Sequence, residues 1–334
     1  MAFRPFLLAA ALVPSFVACG GDDGGNVIPE GTHYHYIANK VLVPTTNTQA
    51  REYGLDLNGD KTVDNQLGMV LSTLGSMGFD IQATLDKAVA VADIVLLVDF
   101  QTKDFTNTTA AGIQVFLGDK NMVTPMACNT GEVYNETTNT GCGHHLGGTG
   151  MFAVSASSPT NASLGGKIVN GTFTGGPGNL SLQISFGDSG AVQLDLIGAR
   201  AKGSSLSDAS LGTGTSGGVV FGGAITKSDI DNKVIPAIQT QLVPIIARDC
   251  TMLSNPPTCG CAADSTGKTI LGLFDTKLAD GTEGKDCMVS VDEIKTNSLI
   301  VSLLAPDVTI NGKEALSLGI KATAVKGEFA VAGQ

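Results

Sequence analysis

Three stretches of this chain alternate apolar and polar side chains with a period of two, and nothing else in it limits the fold as much. Leu180, Leu182, Ile184 and Phe186 alternate with Ser181, Gln183 and Ser185; Val192, Leu194 and Leu196 with Gln193 and Asp195; Leu316, Leu318, Ile320 and Ala322 with Ser317, Lys321 and Thr323. A strand sends successive side chains to opposite faces, so each pattern predicts one buried face and one wet face. A fourth stretch, Ile94 to Phe100, is apolar almost throughout, as expected of a strand covered on both sides. Glycine-rich turns are expected at Gly118, Gly175-Gly176-Pro177-Gly178, Gly187 and Gly217-Gly218. With 43 glycines and no tryptophan in 334 residues, the composition favours turn-rich β structure over a helical bundle. The expected class is mainly β with helices (α+β), an antiparallel β-sandwich.

Helical spacing interrupts this pattern. A strand over Tyr34 to Val43 is followed by a short helix within Thr45 to Tyr53. Leu67, Val70, Leu71, Leu74 and Met77 then share one helix face, as do Ile81, Leu85, Ala88, Val89 and Ala92, with Asp80 placed to cap the second helix. Ile230, Val234, Ile238, Leu242 and Ile245 predict another helix, which Pro236 must start or kink. Helices are also expected over Thr266 to Phe274 and Val291 to Leu304. The resulting organisation is a sandwich domain with N-terminal helices over 32–246. A cysteine-rich helix–loop–helix insertion follows over 247–305, and terminal strands over 306–334 rejoin the sheet.

Lys plus Arg number 20 against 31 Asp plus Glu, a net charge of −11. Such a chain repels nucleic acid, and neither nucleic acid nor nucleotide is an expected partner. Ala262-Ala263-Asp264-Ser265-Thr266-Gly267-Lys268-Thr269 ends like a phosphate-binding loop, but Ala262 stands in place of its first glycine and no β-rich strand precedes it. Catalytic signals are weak. The histidines are His33, His35, His144 and His145, and no HExxH motif occurs.

The N-terminus has one positive charge, Arg4, an apolar run from Phe6 to Val17, and then Phe16-Val17-Ala18-Cys19 followed by Gly20-Gly21-Asp22-Asp23. This order resembles the lipobox of bacterial lipoproteins. The resemblance implies that residues 1–18 are a signal peptide, that Cys19 carries the lipid, and that 19–31 are a flexible tether. A plain secretory signal is the rival reading. The expected location is the cell envelope, with the chain lipid-anchored, most simply in the outer membrane. Seven cysteines then leave Cys128, Cys142, Cys250, Cys259, Cys261 and Cys287. An even count in an exported chain points to disulfides, with fifteen pairings open. Local position favours Cys128–Cys142 and pairing of the other four among themselves; a zinc site at Cys259-Gly260-Cys261 is the rival.

Asp56-Leu57-Asn58-Gly59-Asp60-Lys61-Thr62-Val63-Asp64 places hard oxygens at every second residue of a short loop. Calcium takes six to eight such oxygens, so Asp56, Asn58, Asp60, the Thr62 carbonyl and Asp64 are candidate ligands at positions 1, 3, 5, 7 and 9. The loop resembles EF-hand and dockerin-type calcium loops, with Lys61 in place of the usual Gly at position 6 and Leu67 in place of the acid at 12. A second segment, Asp286-Cys287-Met288-Val289-Ser290-Val291-Asp292-Glu293, resembles the latter half of such a loop. Asp286, Met288, Ser290 and Glu293 would be positions 5, 7, 9 and 12, and Asp275 would open the loop if seven further residues are accommodated. Helix capping alone is the competing explanation at both places.

Beyond these motifs, the tether, the loop Tyr53 to Gly68, Cys142-Gly143-His144-His145 and Ala247-Arg248-Asp249-Cys250 resemble calcium-loop lipoproteins of myxobacterial type. That resemblance brings no activity with it. The expected function is a membrane-anchored, calcium-stabilised extracytoplasmic module that binds a ligand or is structural. The alternative is a hydrolase of extracellular polymers that uses calcium as a structural ion.

Overall fold

The computed structural model describes residues 27–76, 81–159, 162–185, 191–212, 217–253 and 258–331. Cys19, the leader, most of the tether and the expected cap Asp80 lie outside them. The strands are β1 (Thr32–Leu42), β2 (Leu96–Thr102), β3 (Thr108–Thr124), β4 (Gly150–Val154), β5 (Ser163–Val169), β6 (Thr172–Ser185), β7 (Ala191–Ser204), β8 (Ser210–Leu211), β9 (Gly218–Thr226), β10 (Cys250–Leu253), β11 (Thr258–Cys261), β12 (Val308–Ile310) and β13 (Lys313–Glu328). The helices are α1 (Asn47–Glu52), α2 (Gln66–Ser76), α3 (Ile81–Ala90), α4 (Lys227–Asp229), α5 (Ile235–Asp249), α6 (Thr266–Phe274), α7 (Val291–Thr296) and α8 (Ser298–Leu303).

The antiparallel expectation holds, but the strands do not separate into two stacked sheets. They pair in the order β1-β2-β3-β5-β6-β7-β9-β13, and β13 pairs back to β1, every contact antiparallel. The result is a closed, barrel-like ring in which each strand lies beside its predecessor in the chain, apart from short side strands and the cysteine-rich segment. Closure removes the exposed edges that a sandwich leaves. Alternation along a strand is the same in both architectures, so it did not distinguish them.

An eight-stranded ring is just wide enough for side chains to fill. Tyr36, Phe100, Phe173, Leu180, Leu182, Leu194, Leu196, Leu316, Leu318 and Ile320 are buried in one cluster. Phe100 and Phe173 meet edge to face at 5.1 Å. Each such side chain contributes roughly 1.5–3 kcal/mol through burial. Helix α3 packs on both β1 and β6, strands on opposite sides of the ring, so it lies across one opening. Gln82 fixes it there: its Oε1 accepts from Val43 N at 3.0 Å and its Nε2 donates to the Val41 carbonyl at 3.0 Å.

Three local expectations are corrected. The outer face of β13 is covered: Ser317, Lys321 and Thr323 are buried, because α2 and the chain leading into it lie on that strand. The Gly175–Gly178 run is no turn but an irregularity inside β6, where the register to β7 shifts; glycine lets the strand bend round the ring. The helix expected over 291–304 is two helices, broken at Asn297, whose Oδ1 accepts from Leu299 N and Ile300 N and caps α8.

All six remaining cysteines are bridged: Cys128–Cys142, Cys250–Cys261 and Cys259–Cys287. The last two bridges consume the pair that a Cys-x-Cys zinc site would need. No helix among the described residues is long and apolar enough to cross a membrane.

Candidate metal centre

The loop before α2 lies against the outer wall of the ring. Leu57 is buried with Ala224, Ala315, Val308 and Ile310. Asn65, at the loop's end, holds β13 from the side: its Oδ1 accepts from Gly68 N and Gly319 N, and its Nδ2 donates to the Ala50 and Gly319 carbonyls. Between these anchors the chain turns on its own side chains. Asp56 Oδ1 accepts from Gly59 N at 2.6 Å and Oδ2 from Lys61 N at 2.9 Å. Asp60 Oδ1 accepts from Thr62 N at 2.7 Å, and Asn58 Oδ1 from Asp60 N at 2.9 Å. Lys61, at position 6, has φ 70°, the left-handed conformation that glycine supplies in related loops. Asp64 is buried, and its Oδ2 accepts from Leu57 N at 2.8 Å.

The second loop, between α6 and α7, repeats this plan around an excursion. Gly284 N donates to the Thr276 carbonyl at 3.1 Å, and Lys277 pairs with Glu283. Residues 277–283 therefore leave and return as a small hairpin, and Asp275 comes back to the loop it opens. Asp275 Oδ1 accepts from Asp286 N at 3.0 Å and Oδ2 from Cys287 N at 3.1 Å. Asp286 Oδ1 accepts from Met288 N at 3.0 Å, as Asp60 does from Thr62. Cys287, at position 6, has φ 63°. Its bridge to Cys259 holds it there, and Cys259 Sγ lies 3.6 Å from Asp275 Oδ2.

Glu293, at position 12, is wholly engaged. Its Oε1 accepts from Thr276 N and Lys277 N, each at 2.8 Å, and its Oε2 from Ser290 N at 2.8 Å and Ser290 Oγ at 2.9 Å. Ser290 Oγ accepts in return from Glu293 N, a complete capping box. The capping role and the loop role thus fall on the same residues.

Electrostatics separate these carboxylates. Burial, with the charges of Asp60, Asp307 and Asp56, pushes the Asp64 carboxyl up, against the Leu57 hydrogen bond. Burial, with the charges of Asp286 and Glu293, does the same to Asp275, against its two amide donors. Glu293 is held below the usual range: burial opposes its charge, but the donors Ser290, Thr276 and Lys277 outweigh burial. None of the ion pairs seen among the described residues involves Asp56, Asp60, Asp64, Asp275, Asp286 or Glu293. The carboxylates of Asp56, Asp60 and Asp64, like those of Asp275, Asp286 and Glu293, do not all lie within 4.8 Å of one another, but they are oxygen donors of the kind a hard divalent ion takes. Asp307 is the contributor that sequence spacing missed. It takes Ser317 N at 2.7 Å and sits before β12, far along the chain from loop 1. Only the fold brings it near Asp64.

His144 and His145 form one turn of 3₁₀ helix, not extended chain, and still face different surroundings. His144 Nε2 lies 2.8 Å from Glu132 Oε2. His145 is fully buried against Phe152; burial, then the His144 charge, pushes it down to about 4. The pentapeptide Gly214-Thr215-Ser216-Gly217-Gly218 has G-x-S-x-G spacing but leads into β9, whereas a nucleophile elbow joins a strand to a helix; 213–216 are outside the described residues. Comparison with known families, with curated proteins and with solved structures finds no match to this chain.

Proposed function

We propose that the chain is an extracytoplasmic, lipid-anchored module whose two acidic loops bind calcium, and that it acts by binding or as a structural element. The observation that carries the calcium reading is the shared plan of the two loops. In each, a leading aspartate accepts the backbone N–H of position 6, and that residue sits at positive φ with no glycine to favour it. Helix capping alone requires neither feature.

In loop 1, Asp56, Asn58, Asp60, the Thr62 carbonyl and Asp64 would hold the ion. In loop 2, Asp275, Asp286, the Met288 carbonyl, Ser290 and Glu293 would do so. Bound calcium supplies positive charge to carboxylates that otherwise repel one another. The protein's own part is orientation: Asn65 and Leu57 seat the first loop on β13, and the Cys259–Cys287 bridge seats the second. The lipid anchor rests on the Cys19 motif, and the three bridges fit an oxidising compartment.

Calorimetry of the mature protein with calcium and with EDTA tests the metal reading; an unchanged Tm rejects it. Intact-mass analysis of protein purified from membranes tests the anchor, through the diacylglyceryl and acyl mass expected on a chain beginning at Cys19.

A further inference from the structure

The start of β1 carries a second constellation, unlike either loop in chemistry. His33 and His35 are two residues apart on one strand, so both imidazoles stand on the same face of the ring wall. Asp99 on β2 lies directly opposite His35 in the register. Its side chain is 3% exposed, while those of His33 and His35 are 34% and 25% exposed. Asp99 is therefore the floor of the group and the histidines its rim. His33 Nδ1 is 2.8 Å from Asp99 Oδ2, and His35 Nε2 is 3.8 Å from Asp99 Oδ1. Each carboxylate oxygen faces a different imidazole. The rim opens into a concavity that Asp208, Lys326 and Glu328 also line. On its other side His35 stacks on Phe329 at 4.4 Å.

From this arrangement we propose a site for a nitrogen-preferring divalent metal ion of the zinc class, held by His33, His35 and Asp99. Two imidazoles and one carboxylate are a donor set for such ions, and they leave coordination positions open toward the concavity. In a tetrahedral site with ligand distances of ~2.0–2.1 Å, neighbouring donors stand roughly 3.3 Å apart. The three donors do not all lie within 4.8 Å of one another, so closure requires the two imidazoles to turn toward each other over Asp99. Their partial exposure gives them room to turn. This site is independent of the calcium loops, whose donors are all oxygen and which lie elsewhere on the molecule.

The test is titration of the full mature chain with Co²⁺ and with Zn²⁺ in saturating calcium, so that the acidic loops do not compete. The expected result is one cobalt per chain, visible d–d absorption of a nitrogen-ligated ion, and displacement by zinc. His33→Ala and His35→Ala should each weaken binding by at least about tenfold, as should Asp99→Asn, with unchanged circular dichroism. If an alanine variant does not fold, zinc protection of His33 and His35 from diethylpyrocarbonate in the unaltered protein, read by peptide mass, decides the matter. No binding at micromolar metal would overturn the proposal. So would binding that both histidine substitutions leave intact, or an absence of protection at these two residues.

Discussion

The two acidic loops share one hydrogen-bonding plan but are held in shape by different means. Loop 1 is continuous and is seated by packing: Leu57 enters an apolar cluster on the ring wall, and Asn65 clamps the backbone of β13. Loop 2 is interrupted by the 277–283 hairpin and is seated by covalent chemistry, with Cys287 tied to Cys259. The acid also moves. Loop 1 lacks a carboxylate at position 12, and Asp64 at position 9 accepts the N–H of position 2. In loop 2 Glu293 at position 12 accepts that same N–H. A loop can therefore keep its shape with the closing carboxylate at either of two places, provided that something external fixes its ends.

Removing the external fixings should separate the two loops most clearly. Cys259→Ala with Cys287→Ala is expected to cost about 3.5 kcal/mol by chain entropy and to abolish metal binding at loop 2 alone. Terbium luminescence read in loop-specific variants checks this, and equal loss at both loops would contradict the comparison. Removing Cys128–Cys142, a bridge remote from both loops in the chain, should cost about 3 kcal/mol and spare both.

Next in size, Glu293→Ala strands several amide donors and removes a cap, an expected loss of about 3 kcal/mol in urea unfolding. Asp64→Ala strands one amide and should cost about 1–2 kcal/mol. Equal losses would mean that Glu293 and Asp64 are not counterparts. Saturating calcium, at a hundred times its dissociation constant, should add about 2.7 kcal/mol per occupied loop, read as a Tm shift that EDTA reverses.

A smaller effect has opposite signs within loop 2. Asp275, like Asp64, has its carboxyl raised in the folded state, so its contribution is fully present below the unfolded aspartate pKa and is lost as pH rises through the folded value. Glu293 is lowered, so its contribution is present above the unfolded glutamate pKa and is lost as pH falls through the folded value. In EDTA, Asp64→Asn, which keeps an oxygen for Leu57 N, should therefore raise stability slightly at neutral pH, and with calcium present it should lower it. Asp275→Asn should lower it in both conditions, because both Asp275 oxygens accept backbone N–H groups and an amide supplies only one acceptor. A loss for Asp64→Asn in EDTA would show that this carboxylate acts as a hydrogen-bond acceptor only. Smallest of all, Lys61→Gly should relieve the left-handed strain at position 6 and gain about 0.5 kcal/mol. The glycine replacement has no counterpart at Cys287, which the bridge requires.

Much of this was legible in the chain. The period-two segments became β6, β7 and β13, and the apolar run became the doubly covered β2. The Cys128–Cys142 bridge and the segregation of the other four cysteines followed from local position. Asp275 as the opener of an interrupted loop could be counted out along the chain, but the hairpin that makes the count work needed the Thr276–Gly284 contact. Ring closure, the burial of Ser317 and Lys321, the approach of Asp307 to Asp64, and Asp99 beneath His33 and His35 were not legible. Each depends on which strand or loop comes to lie on a given face, and side-chain alternation says only that a face exists.

By itself, then, the order of residues determined the strand and helix segments, the turn-prone acidic loops and the local pairing of thiols. These are set by interactions between residues near one another in the chain, where backbone preference and side-chain periodicity act directly. The tertiary structure alone decided that the sheet closes, which outer face is covered, and which distant carboxylates and imidazoles meet. Those outcomes rest on burial and on electrostatics between groups that share no local signal, and they come into being only when the ring brings its strands together.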